Sequence, residues 1–409
     1  MNLITLILTI AILFGVTDFL TERWPRLQRD IFYIAWFVVT FLFTIKYYYG
    51  PDIWAYVPFY ENVPSIAQII AHPDDLSSGF EPGYAIFCRV LKELGVSFYW
   101  MTAILSCFYF LIILVLWKKI ESKRAFALAI LVSLDYNVIC YEMRQCLAVI
   151  AFLLMVLCLE RKSYLWAIVC GVAAIFCHKS GFVAVIPTLG YFLLSSSRVS
   201  MRTISQLLLI LLVIMFLLPI TKLSLEFLNR LPLSDAVLFS INHHLSLGRQ
   251  VQAVFVVYAL TLVCLVHYTQ YCKSRKEIFA IGATIGILCI VMLYQYYYLL
   301  NRVRSYFTPL IIVYIFNVVQ NAEKQERHIP YGQLMKQLTC LILCIYMAHT
   351  VVAIHRGGQV LKNRVNDTCT VFDLMGDGSK EAIQRRQITK ARKFWEEDYM
   401  RHENNKINR

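Results

Sequence analysis

Apolar runs, each about 15 to 20 residues long, recur through the chain and leave little room for the core of a soluble domain. Candidate spans cover residues 3–20, 31–46, 99–117, 125–140, 145–159, 163–177, 181–194, 204–220, 251–268, 277–298, 303–320 and 336–355. With its interfacial flanks, a run of this length crosses a hydrocarbon layer of roughly 30 Å. A helix satisfies its own backbone polar groups in lipid, whereas a membrane β-barrel would alternate apolar and polar residues, and these runs do not alternate. The sequence therefore predicts an all-α polytopic membrane protein with about 12 transmembrane or partly spanning helices. Composition agrees, since 59% of residues are hydrophobic and only 16% charged.

The formal charge of +13 does not point to nucleic acid, because the basic residues cluster in short loops between apolar runs. Such clusters orient membrane proteins. They fall at 23–29, 118–124, 160–162, 198–202, 273–276 and 323–328. Placing each in the cytoplasm puts every second loop inside and the amino terminus outside. The loops at 47–98, 141–144, 178–180, 221–250 and 299–302 then face the exterior. Residues 1–355 read as one transmembrane domain, with extracytoplasmic regions at 47–98 and 221–250, and residues 356–409 as a polar carboxy-terminal tail. This threading leaves the tail outside. The first span lacks a basic leader and a small-residue cleavage site, so it is expected to be a retained helix.

The 13 cysteines lie mostly inside spans and form no CxxC pair, which marks them as small packing residues. There is no Walker loop, no HExxH or zinc-type Cys/His spacing and no Gly-x-Ser-x-Gly nucleophile, and carboxylates are sparse. No metal or cofactor is expected from these patterns.

Five motifs place acids, bases or cations on the exterior loops, where burial near hydrocarbon costs roughly 2.5 to 3.5 kcal/mol per charged group. The first holds Asp52 after Gly50-Pro51, with Tyr56 four residues on. Asp52 reads either as a carboxylate held by a rigid turn or as the cap of a helix beginning at Ile53. The second is Glu81-Pro82-Gly83-Tyr84, either a fixed acid beside a glycine that admits close approach or a helix start with proline in its first turn. The third places Arg144 and Gln145 at a helix entrance, where a guanidinium either grips phosphate oxygens or snorkels to the interface. The fourth, His178-Lys179-Ser180, interrupts two apolar runs, and His178 serves there as proton relay or as structural donor. In the fifth, Arg302 and Tyr306 share a helical face while Arg304 turns elsewhere. His243 and His244, near Asn242 and Arg249, are weaker members of the same set. An amphipathic segment at 85–95 reads equally as an interfacial helix or as a loop helix packed on the bundle.

In this order the motifs resemble the EpsG family: G-x-D-x-x-x-Y at Gly50, Asp52 and Tyr56, E-P-G-Y at Glu81 to Tyr84, R-Q-x-L-A at Arg144 to Ala148, F-x-H-K-S at Phe176 to Ser180, and R-x-R-x-Y at Arg302 to Tyr306. The resemblance runs from about residue 30 to 320. It implies a Wzy-like polymerase of bacterial O-antigen, capsule or exopolysaccharide, built on a bundle similar to the GT-C membrane glycosyltransferases. It also implies undecaprenyl-diphosphate-linked oligosaccharides as donor and acceptor, and inverting transfer at the outer face of the cytoplasmic (inner) membrane. A flippase and a chain-length regulator are the protein partners such a system brings, alongside membrane lipid. On that reading Asp52, Glu81, Arg144, His178 and Arg302 are catalytic, and Tyr56, Tyr84, Gln145, Lys179, Arg304 and Tyr306 bind substrate, without a metal. The rival readings are a lipid-linked oligosaccharide flippase or other transporter, and a membrane acyltransferase using His178.

Overall fold

The computed structural model describes residues 3–46, 52–71, 80–194, 201–217, 278–292 and 297–324, with a few isolated positions elsewhere. The spans expected at 251–268 and 336–355, the loop at 221–250, its histidines His243 and His244, and the tail lie outside the described residues. The elements are α1 (Leu3–Leu20), α2 (Pro25–Thr44), α3 (Ile53–Glu61), α4 (Ile66–Ala71), α5 (Pro82–Glu93), α6 (Phe98–Leu116), α7 (Arg124–Cys140), α8 (Met143–Glu160), α9 (Tyr164–Cys177), α10 (Gly181–Leu194), α11 (Met201–Leu217), α12 (Ile278–Met292) and α13 (Tyr297–Lys324). No β-strand occurs among the described residues. Four segments, Leu3–Leu20, Pro25–Thr44, Phe98–Lys119 and Met143–Glu160, are long and apolar enough to cross a membrane, and shorter apolar helices accompany them.

The described residues divide into two compact units, one drawn from Met1–Ala151, Val172–Lys179 and Met347–Arg409, the other from Phe152–Gly171 and Ser180–Tyr346. In the first unit α7 packs against α1 and α2. It is buried without interruption from Ala125 to Asp135. A helix covered on all sides has no water for the unpaired amides and carbonyls at its ends. Other helices supply the partners. Asp18 of α1 is fully buried, and its Oδ2 accepts the N–H of Ala125 at 2.8 Å and of Phe126 at 3.3 Å. Gln28 of α2 donates to the Asp18 carbonyl at 2.8 Å and joins the two helices below the cap. At the other end of α7, the buried Lys46 ammonium donates to the Ile139 carbonyl and, at 3.1 Å, to Ser106 Oγ of α6. An anion at the N-terminus and a cation at the C-terminus both complement the helix dipole.

The region 47–98, read from sequence as a loop, contains α3, α4 and α5 among its described residues. The amphipathic segment forms α5, which lies against α3 and α4 and buries Tyr84, Ala85 and Cys88 completely. Its polar face is also anchored: Arg89 pairs with Glu93 at 2.7 Å and donates to the Val63 carbonyl, and Lys92 donates to the Glu61 carbonyl.

In the second unit α12 packs on α10, α11 and α13. Gly282 and Gly286 lie one turn apart on α12, and a Cβ on either would come within 2.6 Å of Leu310 or Phe307 of α13. Close approach of two helices through small residues is how membrane helices gain dispersion contacts where lipid offers no hydrophobic drive. One expectation is corrected here. Residues 299–302, read as an exterior loop, belong to α13, which starts at Tyr297 and runs for 28 residues. No glycine or proline interrupts Tyr297–Arg302, so nothing in that stretch ends a helix.

Removing the Asp18 carboxylate strands two buried amides. Asp18→Ala should therefore lower stability by about 1 to 3 kcal/mol, read as a fall in Tm of the detergent-solubilised protein. Asp18→Asn, which keeps an acceptor but not the charge, should fall between the two. An unchanged Tm in Asp18→Ala would show that the α7 start finds other partners.

Candidate functional site

Four sequence motifs meet in the first unit, each at a helix start or break. Asp52 occupies the position before α3, with φ −83° and ψ −6°, and makes no side-chain capping bond, so the plain capping role is not the one observed. Glu81 precedes α5 in extended conformation (φ −72°, ψ 145°), with Pro82 in the first turn. The helix-start reading of this motif is therefore correct as far as it goes. The Glu81 carboxylate does not cap its own helix, however.

It turns to two other elements instead. Arg144, the second residue of α8, donates through Nη1 to Glu81 Oε2 at 2.8 Å. The backbone N–H of Lys179, in the break between α9 and α10, donates to Glu81 Oε1 at 3.4 Å. Only 8% of the Glu81 side chain and 24% of the Arg144 side chain reach solvent, so the pair is shielded from screening. Arg144 Nε also donates to the Tyr56 hydroxyl of α3 at 3.4 Å. The guanidinium lies 4.8 Å from the Phe80 ring centre and 6.0 Å from that of Tyr56.

An aromatic cluster surrounds the pair. Tyr56 stacks on Phe80 at 5.2 Å and meets Tyr84 edge-on at 5.7 Å, while Phe59 contacts Phe80 at 4.3 Å. Tyr56 and Tyr84 are buried, and their rings pack on other aromatic rings. Burial pushes the Tyr56 phenol well above the usual tyrosine range; the Arg144 charge opposes this, and the carboxylates of Asp52 and Glu142 reinforce it. Tyr84 is raised in the same way, first by burial and then by Cys88. Both hydroxyls keep their protons at physiological pH.

The close fit depends on Gly83. A Cβ there would meet the carbonyl carbon and oxygen of Phe176 at 2.7 and 2.8 Å and the Cys177 nitrogen at 2.9 Å. The start of α5 thus rests directly on the last turn of α9. Just beyond that turn His178 is buried, its backbone N–H donating to the Ala174 carbonyl at 3.2 Å, while the Lys179 side chain is exposed. Gln145 is buried beside Arg144 in α8.

The structure therefore gathers Tyr56, Glu81, Tyr84, Arg144 and the Lys179 backbone, with Asp52 in electrostatic reach of Tyr56. Arg302, Arg304 and Tyr306 belong to the second unit. There Arg304 is buried and Arg302 half-buried, and the buried Tyr306 hydroxyl shares a 3.0 Å hydrogen bond with Ser180, the last residue of the His-Lys-Ser triplet. Two participants escaped the sequence reading. Phe80 lies beside Glu81 in the same motif, and Glu142 lies two residues before Arg144, so adjacency to a charged motif residue was the available signal. Among the described residues, no group of three or more His, Cys, Asp or Glu is placed to hold a metal ion.

Fold and site together define a polytopic helical membrane protein that carries a shielded acid–guanidinium pair within an aromatic enclosure. The model of the EpsG family matches residues 31–363, and the chain belongs to that family. Membership is consistent with a Wzy-like polysaccharide polymerase, a glycosyltransferase-like protein of a bacterial family acting on lipid-linked polysaccharide substrates. Comparison with curated proteins and with solved structures gives no match.

Gly83→Ala forces a methyl group into backbone atoms that belong to another helix and cannot rotate away. It should cost about 1 to 3 kcal/mol, read as a lower Tm, and should loosen the Glu81–Arg144 pair. Gly190→Ala serves as the control, since a Cβ there meets nothing within 4 Å.

Proposed function

We propose that this protein joins undecaprenyl-diphosphate-linked oligosaccharide repeats into O-antigen, capsule or exopolysaccharide chains, by inverting transfer at the extracytoplasmic face of the bacterial cytoplasmic membrane. The observation that carries the reading is the Glu81–Arg144 pair, because it puts a permanently charged, oriented guanidinium in a shielded setting that chain position alone would not require. In this scheme Arg144 binds the diphosphate of the donor and stabilises the charge that builds as it leaves. Arg302 supplies a second cation, with Lys179 or His178 assisting; for these residues the support is the motif order. The guanidinium groups carry the positive charge of the reaction, so no metal enters it.

The acceptor hydroxyl attacks the anomeric carbon from the face opposite the diphosphate. The new glycosidic bond forms as the bond from that carbon to the diphosphate oxygen breaks. The electron pair leaves with the diphosphate, and the hydroxyl proton passes to a carboxylate. Asp52 is preferred as that base. Both Glu81 oxygens already accept hydrogen bonds and its charge is balanced by Arg144; Asp52 is half-buried and within electrostatic reach of Tyr56. Glu81 is then the residue that orients Arg144. We extend the same reading to the architecture: a GT-C-like bundle of about 12 spans over residues 1–355, followed by a polar tail over 356–409.

Purified protein in lipid nanodiscs, incubated with a synthetic undecaprenyl-diphosphate repeat, should yield a ladder of products on gels. Arg144→Lys and Asp52→Asn should each cut the rate roughly 100- to 1000-fold while the protein remains monodisperse on size exclusion. Retained ladders in both variants would remove these residues from the reaction. In cells, loss of the protein should leave single repeats accumulating outside the membrane; accumulation inside would favour a flippase.

A further inference from the structure

Arg144 is gripped on three sides, and the third grip has no role in the scheme above. Glu81 holds Nη1 and Tyr56 meets Nε of the guanidinium through hydrogen bonds. Phe80 meets it from a different direction, with the guanidinium carbon over its ring at 4.8 Å from the centre. That distance is well inside the limit of about 6 Å for a cation–π contact, whereas the Tyr56 ring, at 6.0 Å, lies at the edge of it. Phe80 is therefore the ring partner, and Tyr56 acts through its hydroxyl.

The Phe80 ring is fixed before it meets the cation. Phe59 contacts it at 4.3 Å with planes tilted by 58°, Tyr56 stacks on it at 5.2 Å and 20°, and Tyr84 leans on it at 5.7 Å. Only 6% of Phe80 is exposed. The guanidinium carbon thus lies over a ring that is itself buried, in a site with little water, where a cation–π contact is strongest. Phe80 also precedes Glu81 directly, and Pro82 restricts the backbone that follows. Two adjacent residues hence deliver both the ring and the carboxylate that contact the guanidinium.

We propose that Phe80 is a positioning residue whose ring face orients the Arg144 guanidinium for its grip on a substrate phosphate. This inference rests on the reading of Arg144 as the diphosphate-binding cation. It leads to the expectation that lysine will not replace Arg144, since a compact ammonium presents no plane for the ring to align.

The test replaces Phe80 with mono-, di-, tri- and pentafluorinated phenylalanine, which withdraw electron density from the ring face with little change in shape. Binding of undecaprenyl diphosphate to the protein in nanodiscs is measured for each, alongside Phe80→Leu, Phe80→Trp and Arg144→Lys. The expected result is stepwise weakening along the series, roughly two- to thirtyfold in total, with loss in Phe80→Leu and retention in Phe80→Trp. A flat series, with Tm unchanged and binding still dependent on Arg144, would overturn the role of Phe80 and leave the polymerase reading intact. Binding that ignores Arg144→Lys would instead remove the reading of Arg144, and the proposal with it.

Discussion

A helix that ends within an apolar bundle leaves amides and carbonyls that no water can satisfy, and the first unit meets that demand with charged side chains from distant positions. Asp18 takes the amides at the start of α7 and Lys46 a carbonyl at its end. Glu81 takes the Lys179 amide in the break between α9 and α10. The same device serves both framework and site. At α7 the charge is absorbed by the helix ends, whose partial charges match it. At Glu81 one amide is too little to balance a carboxylate that is 8% exposed, and Arg144 completes the balance.

That completion has a chemical consequence. A guanidinium paired in a shielded site keeps its charge and its orientation, and an anionic ligand meeting it finds a donor that needs no reorganisation. The aromatic cluster of Tyr56, Phe59, Phe80 and Tyr84 keeps water away and strengthens each electrostatic contact within it. Gly83 makes the arrangement compact, because only a residue without Cβ lets the start of α5 rest on the backbone of α9. A residue three places from the aromatic–guanidinium contact thus controls it through helix packing.

Much of the helical layout was legible in the chain. The spans expected at 3–20 and 181–194 match α1 and α10 to the residue, and those at 99–117, 125–140, 145–159, 163–177 and 204–220 agree within about three positions, because apolar runs and the polar breaks between them are local signals. The start of α13 is not marked locally: residues 299–302 fall between two apolar runs, yet a helix continues through charge when no glycine or proline stops it, and Arg302 shares one helix with Tyr306. A helix starting at Ile53 is one of the two readings of Asp52, and α3 does start there, whereas α4 is so short that it leaves too few turns for periodicity to show. At the site, Asp52, Glu81, Arg144 and His178-Lys179 stood out as polar residues where apolar runs end. Phe80 did not, because one phenylalanine among 26 carries no mark of its partner.

The amino-acid sequence by itself determined that this is a helical membrane protein, roughly where its helices start and stop, and which family it belongs to. Each of those properties depends on residues near one another in the chain, or on their order. Tertiary structure alone decided that Glu81 pairs with Arg144 across 63 positions, that Asp18 caps a helix 107 residues away, and that the Phe80 ring lies against a guanidinium. These contacts join residues far apart in the chain, so no local pattern encodes them. They exist because helix packing must supply partners for groups that lipid and protein leave without water.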